Sequence, residues 1–227
     1  MGVTVVHRVT EAIDIGDWDE LHPTALAIVA AAADVIADRG EPFVRLDEVA
    51  DQLGLTTPAI YRYFPGREGL LDAAQAYRLQ RSWSLGVVAL RELVDGATSL
   101  NGFRETVRNL TASQFTPDQV PVLMVRAEIY GAARSRPVLM DRIKRIAEAW
   151  RVAFVSALEE AERRGLVRPR LPVADVADFV RAIYFGQLQW AIDAADRDTS
   201  AITNELVEIV DSMLFGGSDP GTGEGYQ

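Results

Sequence analysis

The chain has 227 residues, 48% hydrophobic and 25% charged, enough for one large domain or two small ones around a well-buried core. It has no cysteine and two histidines, His7 and His22, which excludes disulfides, thiolate metal sites and cysteine nucleophiles and leaves little for a zinc site or a histidine-based triad. The formal charge of −10 would set a uniformly acidic surface against nucleic acid and anionic lipid, so its distribution along the chain decides which partners remain.

Residues 1–20 are polar and acidic, and read as a loosely ordered extension. No basic start or apolar run of leader length occurs there. The longest apolar run, Ala25–Ala33, ends at Asp34, far short of the roughly 20 residues that span a bilayer. A cytoplasmic protein without a membrane partner is therefore expected. A helix is predicted from near Pro23, a residue suited to a first helical turn. Leu26, Val29, Ala33, Ile36 and Ala37 recur at helical spacing, and Gly40 follows as a stop. Two short helices are predicted over 46–53 and 58–64, with Gly54 between them.

Beyond Pro65-Gly66 the predicted helices are long: 67–94, 102–115, 119–133, 137–165, 172–195 and 200–215. The fourth of these carries the clearest apolar stripe, including Leu139, Ile143, Ile146, Trp150, Phe154 and Ala157, with Arg and Glu opposite. The tail over 217–227 is Gly-rich and reads as flexible. No alternating run bounded by hairpin turns appears. The fold class is all-α, with about nine helices: a three-helix domain over 21–66, then a larger helical domain over 67–216.

The most informative segment is Leu46–Pro65, LDEVADQLGLTTPAIYRYFP. Two helices that cross tightly need a small residue at the contact, and Ala50 supplies one. The turn between them needs positive φ, which Gly54 tolerates. Val49, Leu53, Leu55 and Ile60 are the inward positions. Thr57 is placed to cap the second helix, with Pro58 in its first turn. The pattern is a helix-turn-helix; the plainer reading is a helical hairpin that binds nothing.

Residues 24–72 resemble the DNA-binding domain of TetR-family transcriptional regulators. The resemblance is carried by the first helix ending at Gly40, by VRLDEVADQLGLTTPAIYRYF and by PGREGLL. Beyond residue 75 it is architectural only. It implies that the second motif helix enters the DNA major groove. Thr56 and Thr57 would meet a phosphate at its N-terminus. Ala59 would touch a thymine methyl, and Arg62 would reach a base edge or a phosphate. Tyr61 and Arg67 match residues that contact phosphate in the family. Tyr63 is a further candidate for DNA contact, although its spacing from Ile60 turns it partly inward, and Phe64 belongs to the core. Arg45, just before the first motif helix, completes the set. Two stretches depart from the family: Asp17-Trp18-Asp19-Glu20, where basic residues often stand, and Leu46-Asp47-Glu48, where a threonine often stands.

The charge falls in blocks. Residues 1–53 hold three basic and eleven acidic residues; residues 172–227 hold two basic and ten acidic. Residues 54–67 hold Arg62 and Arg67 and no acid. Screening over about 8–10 Å makes phosphate contacts a local matter, so the distant C-terminal acids do not exclude a DNA partner for this segment, while the acids of residues 1–20, next to the expected DNA-binding face, weigh against it.

The resemblance further implies that 67–215 binds a small-molecule effector and forms a homodimer through the last two helices. The apolar stripes of those helices allow either a four-helix interface with a second copy or a place in the monomer core. Candidate pocket residues are Trp83, Phe103, Met124, Tyr130, Trp150, Phe154, Tyr184 and Gln187, an aromatic set that suits an apolar ligand and equally an ordinary core. Arg126 with Glu128 and Arg181 with Asp178 read as surface ion pairs. No phosphate-cradling Gly loop, GxSxG or HExxH occurs, and the histidines lack partners at metal spacing. No cofactor, metal or catalytic site is expected. The sequence reads as a ligand-responsive DNA-binding regulator, a repressor released from a palindromic operator by an apolar effector. The alternative is a helical ligand-binding or protein-interaction module that has lost DNA binding.

Overall fold

The computed structural model describes residues 22–193 and 198–216. The extension over 1–20, with His7, and the tail over 217–227 lie outside the described residues. Nine α-helices run among the described residues, none of which is in a strand.

Helix α1 is Pro23–Arg39. Pro23 opens it, and the His22 ring caps it, Nδ1 accepting from the Thr24 backbone N–H at 3.2 Å. Ala25, Ile28, Val29, Ala32 and Ile36 form its buried face. A 3-10 turn, Glu41–Phe43, leads to α2, Leu46–Gln52. The first turn of α2 carries Asp47 and Glu48, acids that complement the positive end of a helix dipole. Helix α3 is Thr57–Tyr61. Gly54 between them has φ 65°, the left-handed region that glycine enters without a Cβ clash.

The second motif helix was expected to be capped by Thr57. It begins at Thr57 instead, with Thr56 as the extended N-cap residue and no side-chain cap bond.

The remaining helices are α4 (Gly66–Gly96), α5 (Leu100–Gln114), α6 (Val120–Ala133), α7 (Pro137–Arg163), α8 (Val173–Asp193) and α9 (Ser200–Phe215). Ser99 caps α5 by accepting from the Gly102 N–H at 3.2 Å. Gly165, φ 70°, follows the end of α7.

The chain divides into two compact units: residues up to 85 with 125–149, and residues 86–124 with 150 onward. The division falls within α4, which runs from Gly66 to Gly96. In the first unit Ile28, Val44, Val49, Ile60, Phe64, Leu70, Leu79, Ile129 and Leu139 are buried. In the second, Val94, Phe103, Val107, Leu158, Val167, Val176, Val180, Val210 and Leu214 form one apolar cluster. There Arg104 grips Asp211 with both arms, Nε to Oδ1 at 2.8 Å and Nη2 to Oδ2 at 2.5 Å, joining α5 to α9. Arg108 adds a pair to Glu208.

Candidate nucleic-acid interface

Helix α3 has two faces. Ile60 and the following Phe64 are buried. Thr56, Pro58, Tyr61 and Arg62 are exposed, Tyr61 at 57%. The helical turn runs past Tyr61, since the Tyr63 and Phe64 N–H groups both donate to the Ile60 carbonyl, at 2.9 and 3.0 Å. This places a phenol, a guanidinium and an N-terminal hydroxyl on one outward surface with no carboxylate between Gly54 and Arg67. Such a surface suits the phosphate and base-edge contacts of a groove-entering helix. Thr57 and Ala59 are half-buried at its margin.

Tyr63 is half-buried, in line with its spacing from Ile60. Its ring stacks on His22, centroids 5.7 Å apart, and its hydroxyl lies 3.4 Å from His22 Nδ1. The residue that caps α1 thereby also braces the end of the motif. Arg45 is exposed and pairs with Glu48 at 3.7 Å; Arg39 reaches the same carboxylate at 3.9 Å. Of the α2 acids that depart from the family pattern, Glu48 is thus faced by two arginines.

Arg67 has a different environment from its candidate role. Its Nε donates to the Val44 carbonyl at 2.9 Å, and its Nη2 to the Glu41 carbonyl at 2.5 Å. Nη1 lies 3.3 Å from Glu68. The guanidinium holds the 3-10 turn ahead of α2.

Sequence reasoning missed the hub of this region. The Glu41 carboxylate accepts from Gln75 Nε2 and from Arg136 Nη1, each at 2.7 Å. Arg136 Nε also donates to Asp72 at 2.7 Å. Arg78 pairs with Glu128 at 3.0 Å and with Gln75 at 2.6 Å. No local motif marks these residues, because the partners come from α4, α6 and the residue preceding α7.

The pocket candidates do not fall in one unit. Trp83 and Tyr130 belong to the first; Phe103, Met124, Trp150, Phe154, Tyr184 and Gln187 to the second. Phe103 is core, edge-on to Phe215 with centroids 6.4 Å apart. Met124 is 46% exposed. Trp150 stacks on Phe154 at 4.8 Å, with the Arg181 guanidinium 6.0 Å from the Trp150 ring. Tyr184 packs on Phe115 at 5.6 Å, and burial pushes its phenol pKa up while a hydrogen bond with Thr111 works the other way. Gln187 is buried and donates to the Gln114 carbonyl. Among the described residues no three His, Asp or Glu side chains are placed to hold a metal ion, and no helix is long and apolar enough to cross a membrane.

Arg181 and Asp178 form the expected pair, at 3.7 Å. Arg126 and Glu128 do not pair. Residues two apart face different sides of a helix, and Glu128 binds Arg78 while Arg126 turns to Ser82.

Residues 28–74 match the model of the family described as bacterial regulatory proteins, tetR family. Over 144 residues the chain is 28% identical to the HTH-type transcriptional regulator BetI 1 of Chromohalobacter salexigens, covering 63% of this chain and 66% of that protein. Over 93 residues it is 31% identical to the uncharacterized HTH-type transcriptional regulator TtgW of Pseudomonas putida, covering 35% of this chain and 69% of that one. In fold it resembles the transcriptional regulator FadR of Bacillus subtilis, solved in complex with stearoyl-CoA. That match has TM-score 0.53 and 18% identity, over 82% of this chain and 97% of that one.

Proposed function

The chain belongs to the TetR family of bacterial regulatory proteins, a family of transcriptional regulators rather than enzymes, and on that footing we propose that it is a homodimeric repressor released from a palindromic operator by a small effector. The observation that carries DNA binding is the outward face of α3. Thr56, Tyr61 and Arg62 stand exposed over a buried Ile60 and Phe64, in a stretch that holds no acid. In this reading residues 21–66 dock on the duplex. Thr56, Thr57, Ala59, Tyr61, Arg62 and Arg45 contact it, and Tyr63 and Arg67 keep α3 in register.

Residues 67–216 bind the effector and form the dimer. The support for the dimer is apolar surface on the last two helices. Phe179 and Phe185 on α8 are 44% and 48% exposed, and Ile202 and Ile209 on α9 are 46% and 37% exposed. Large apolar side chains left exposed on both helices suit association with a second copy. Two copies joined there would present two α3 helices to half-sites about 34–36 Å apart or a multiple of that. An effector that prefers a different arrangement lowers operator affinity by its coupling energy, typically about 1–3 kcal/mol. The protein acts in the cytoplasm, where its operator is.

Selection of genomic fragments with the purified full-length protein tests this. Enrichment of a palindrome at fixed salt is expected. Enrichment of none, with and without small-molecule extracts, would instead favour a helical module that has lost DNA binding.

A further inference from the structure

Helix α6, VPVLMVRAEIYGAA, carries two charged residues, Arg126 and Glu128. Glu128 is neutralised by Arg78 at 3.0 Å. Arg126 has no carboxylate within salt-bridge distance among the described residues. Its Nη2 donates to the Ser82 carbonyl at 2.6 Å and its Nε to the Ser82 hydroxyl at 3.3 Å. That hydroxyl already donates to the Leu79 carbonyl at 2.7 Å, so both Ser82 partners are neutral and Nη1 is left over. Burial pulls the Arg126 pKa down to about 10, with the nearby Tyr130 acting in the opposite direction. Trp83, which follows Ser82 on α4, and Ile129 on α6 are apolar and buried.

A half-buried cation without an anion is costly to keep. A guanidinium fork with an open arm matches a carboxylate or phosphate in geometry and charge. We infer that Arg126 is the seat of an anionic group, carboxylate or phosphate, carried on an apolar effector. This rests on the effector-responsive reading above and gives its small effector the chemistry of an amphipathic anion. The anion pairs with Nη1, the arm that Ser82 leaves open.

The test is calorimetric titration of the full-length protein, without DNA, with three probes that share a ten-carbon chain: decanoate, decanoyl-coenzyme A and the neutral decanamide. An anionic probe is expected to bind about tenfold or more tightly than the amide, the usual scale for a charge-assisted contact. Arg126→Met is expected to abolish that preference, and Arg126→Lys to retain part of it. Preference for decanoate assigns a carboxylate, and preference for decanoyl-coenzyme A assigns a phosphate. With no probe present, Arg126→Met should melt about 2–4 °C higher, because it removes an unpaired charge; this also shows that the variant folds. Equal binding of the amide, a preference that survives in Arg126→Met, or no binding of either anion would overturn the inference. Because no DNA enters the titration, its failure is distinct from failure to select an operator.

Discussion

Arg136 Nη1 donates to Glu41 Oε1 at 2.7 Å across 95 residues of sequence, while its Nε donates to Asp72 at the same distance. Burial opposes the Arg136 charge, but the hydrogen bonds and attraction of the two carboxylates outweigh it and raise its pKa. Glu41 is the same residue whose carbonyl accepts from Arg67. Removing the arginine would leave two carboxylates facing each other in a largely buried site. Arg136→Met is therefore expected to cost about 3 kcal/mol, read as a lower urea midpoint at unchanged slope. A midpoint shift near zero would show that the cluster is solvated and mechanically idle.

Gly54 tests backbone conformation alone. A Cβ built there meets nothing within 4 Å, yet φ is 65°. Gly54→Ala should cost about 1–2 kcal/mol from the left-handed strain, a fall in Tm of several degrees at this chain size. Gly54→Asn should cost less, because asparagine tolerates that region.

Arg62 is exposed, and among the described residues no hydrogen bond or ion pair ties its side chain to the fold. Arg62→Ala should weaken operator binding by about 1–3 kcal/mol while leaving Tm within half a degree or so of the parent. Affinity measured at one defined salt concentration decides this. An unchanged Kd would place α3 outside the groove.

The dimer proposal predicts an effect of charge on α8. Phe179 is 44% exposed. Phe179→Glu would bury a carboxylate if that face pairs with a second copy, so the dimer should dissociate at concentrations about tenfold or more higher than the parent requires. Sedimentation velocity over a dilution series gives the answer, and a dimer indifferent to the substitution would lie elsewhere.

Asp211 gives a pH dependence with a definite sign. Its hydrogen bonds and attraction to Arg104 and Arg108 hold its pKa below the ordinary carboxylate value. Its contribution is therefore fully present above the unfolded value of about 3.9 and is lost as the pH falls from there through the lowered folded value. Tm should drop more steeply over that window in the parent than in Asp211→Asn. The variant should itself be less stable at pH 7 by about 1–3 kcal/mol. Parallel melting curves for the two proteins below pH 4 would remove Asp211 from the acid transition.

The readable part of the protein is the part that local rules constrain. Pro23, Gly40, Gly54 and Gly165 sit where a helix must start, stop or turn, and their side chains, or lack of them, restrict the backbone whatever surrounds it. Ile60 and Phe64 face inward because they recur at helical spacing. The motif helix and its outward residues followed from the same periodicity. Even the capping error was a one-residue shift, from Thr57 to Thr56.

Long-range electrostatics was not readable in this way. Arg67 looks like a surface cation in sequence, but its guanidinium is taken by the Val44 and Glu41 carbonyls, groups that every residue has. Arg126 and Glu128 are close in sequence and opposite in sign, yet each finds its partner on α4. A helix turns residues two apart away from each other, and only packing against α4 supplies the third group. The sequence by itself determined the helices, the motif and the acid-free stretch of α3, because each is set by nearest neighbours along the chain. The tertiary structure alone decided which arginines are neutralised, which hold the turn before α2, and that Arg126 meets Ser82 rather than a carboxylate. Charge pairing depends on distances through space, and the sequence does not order those distances.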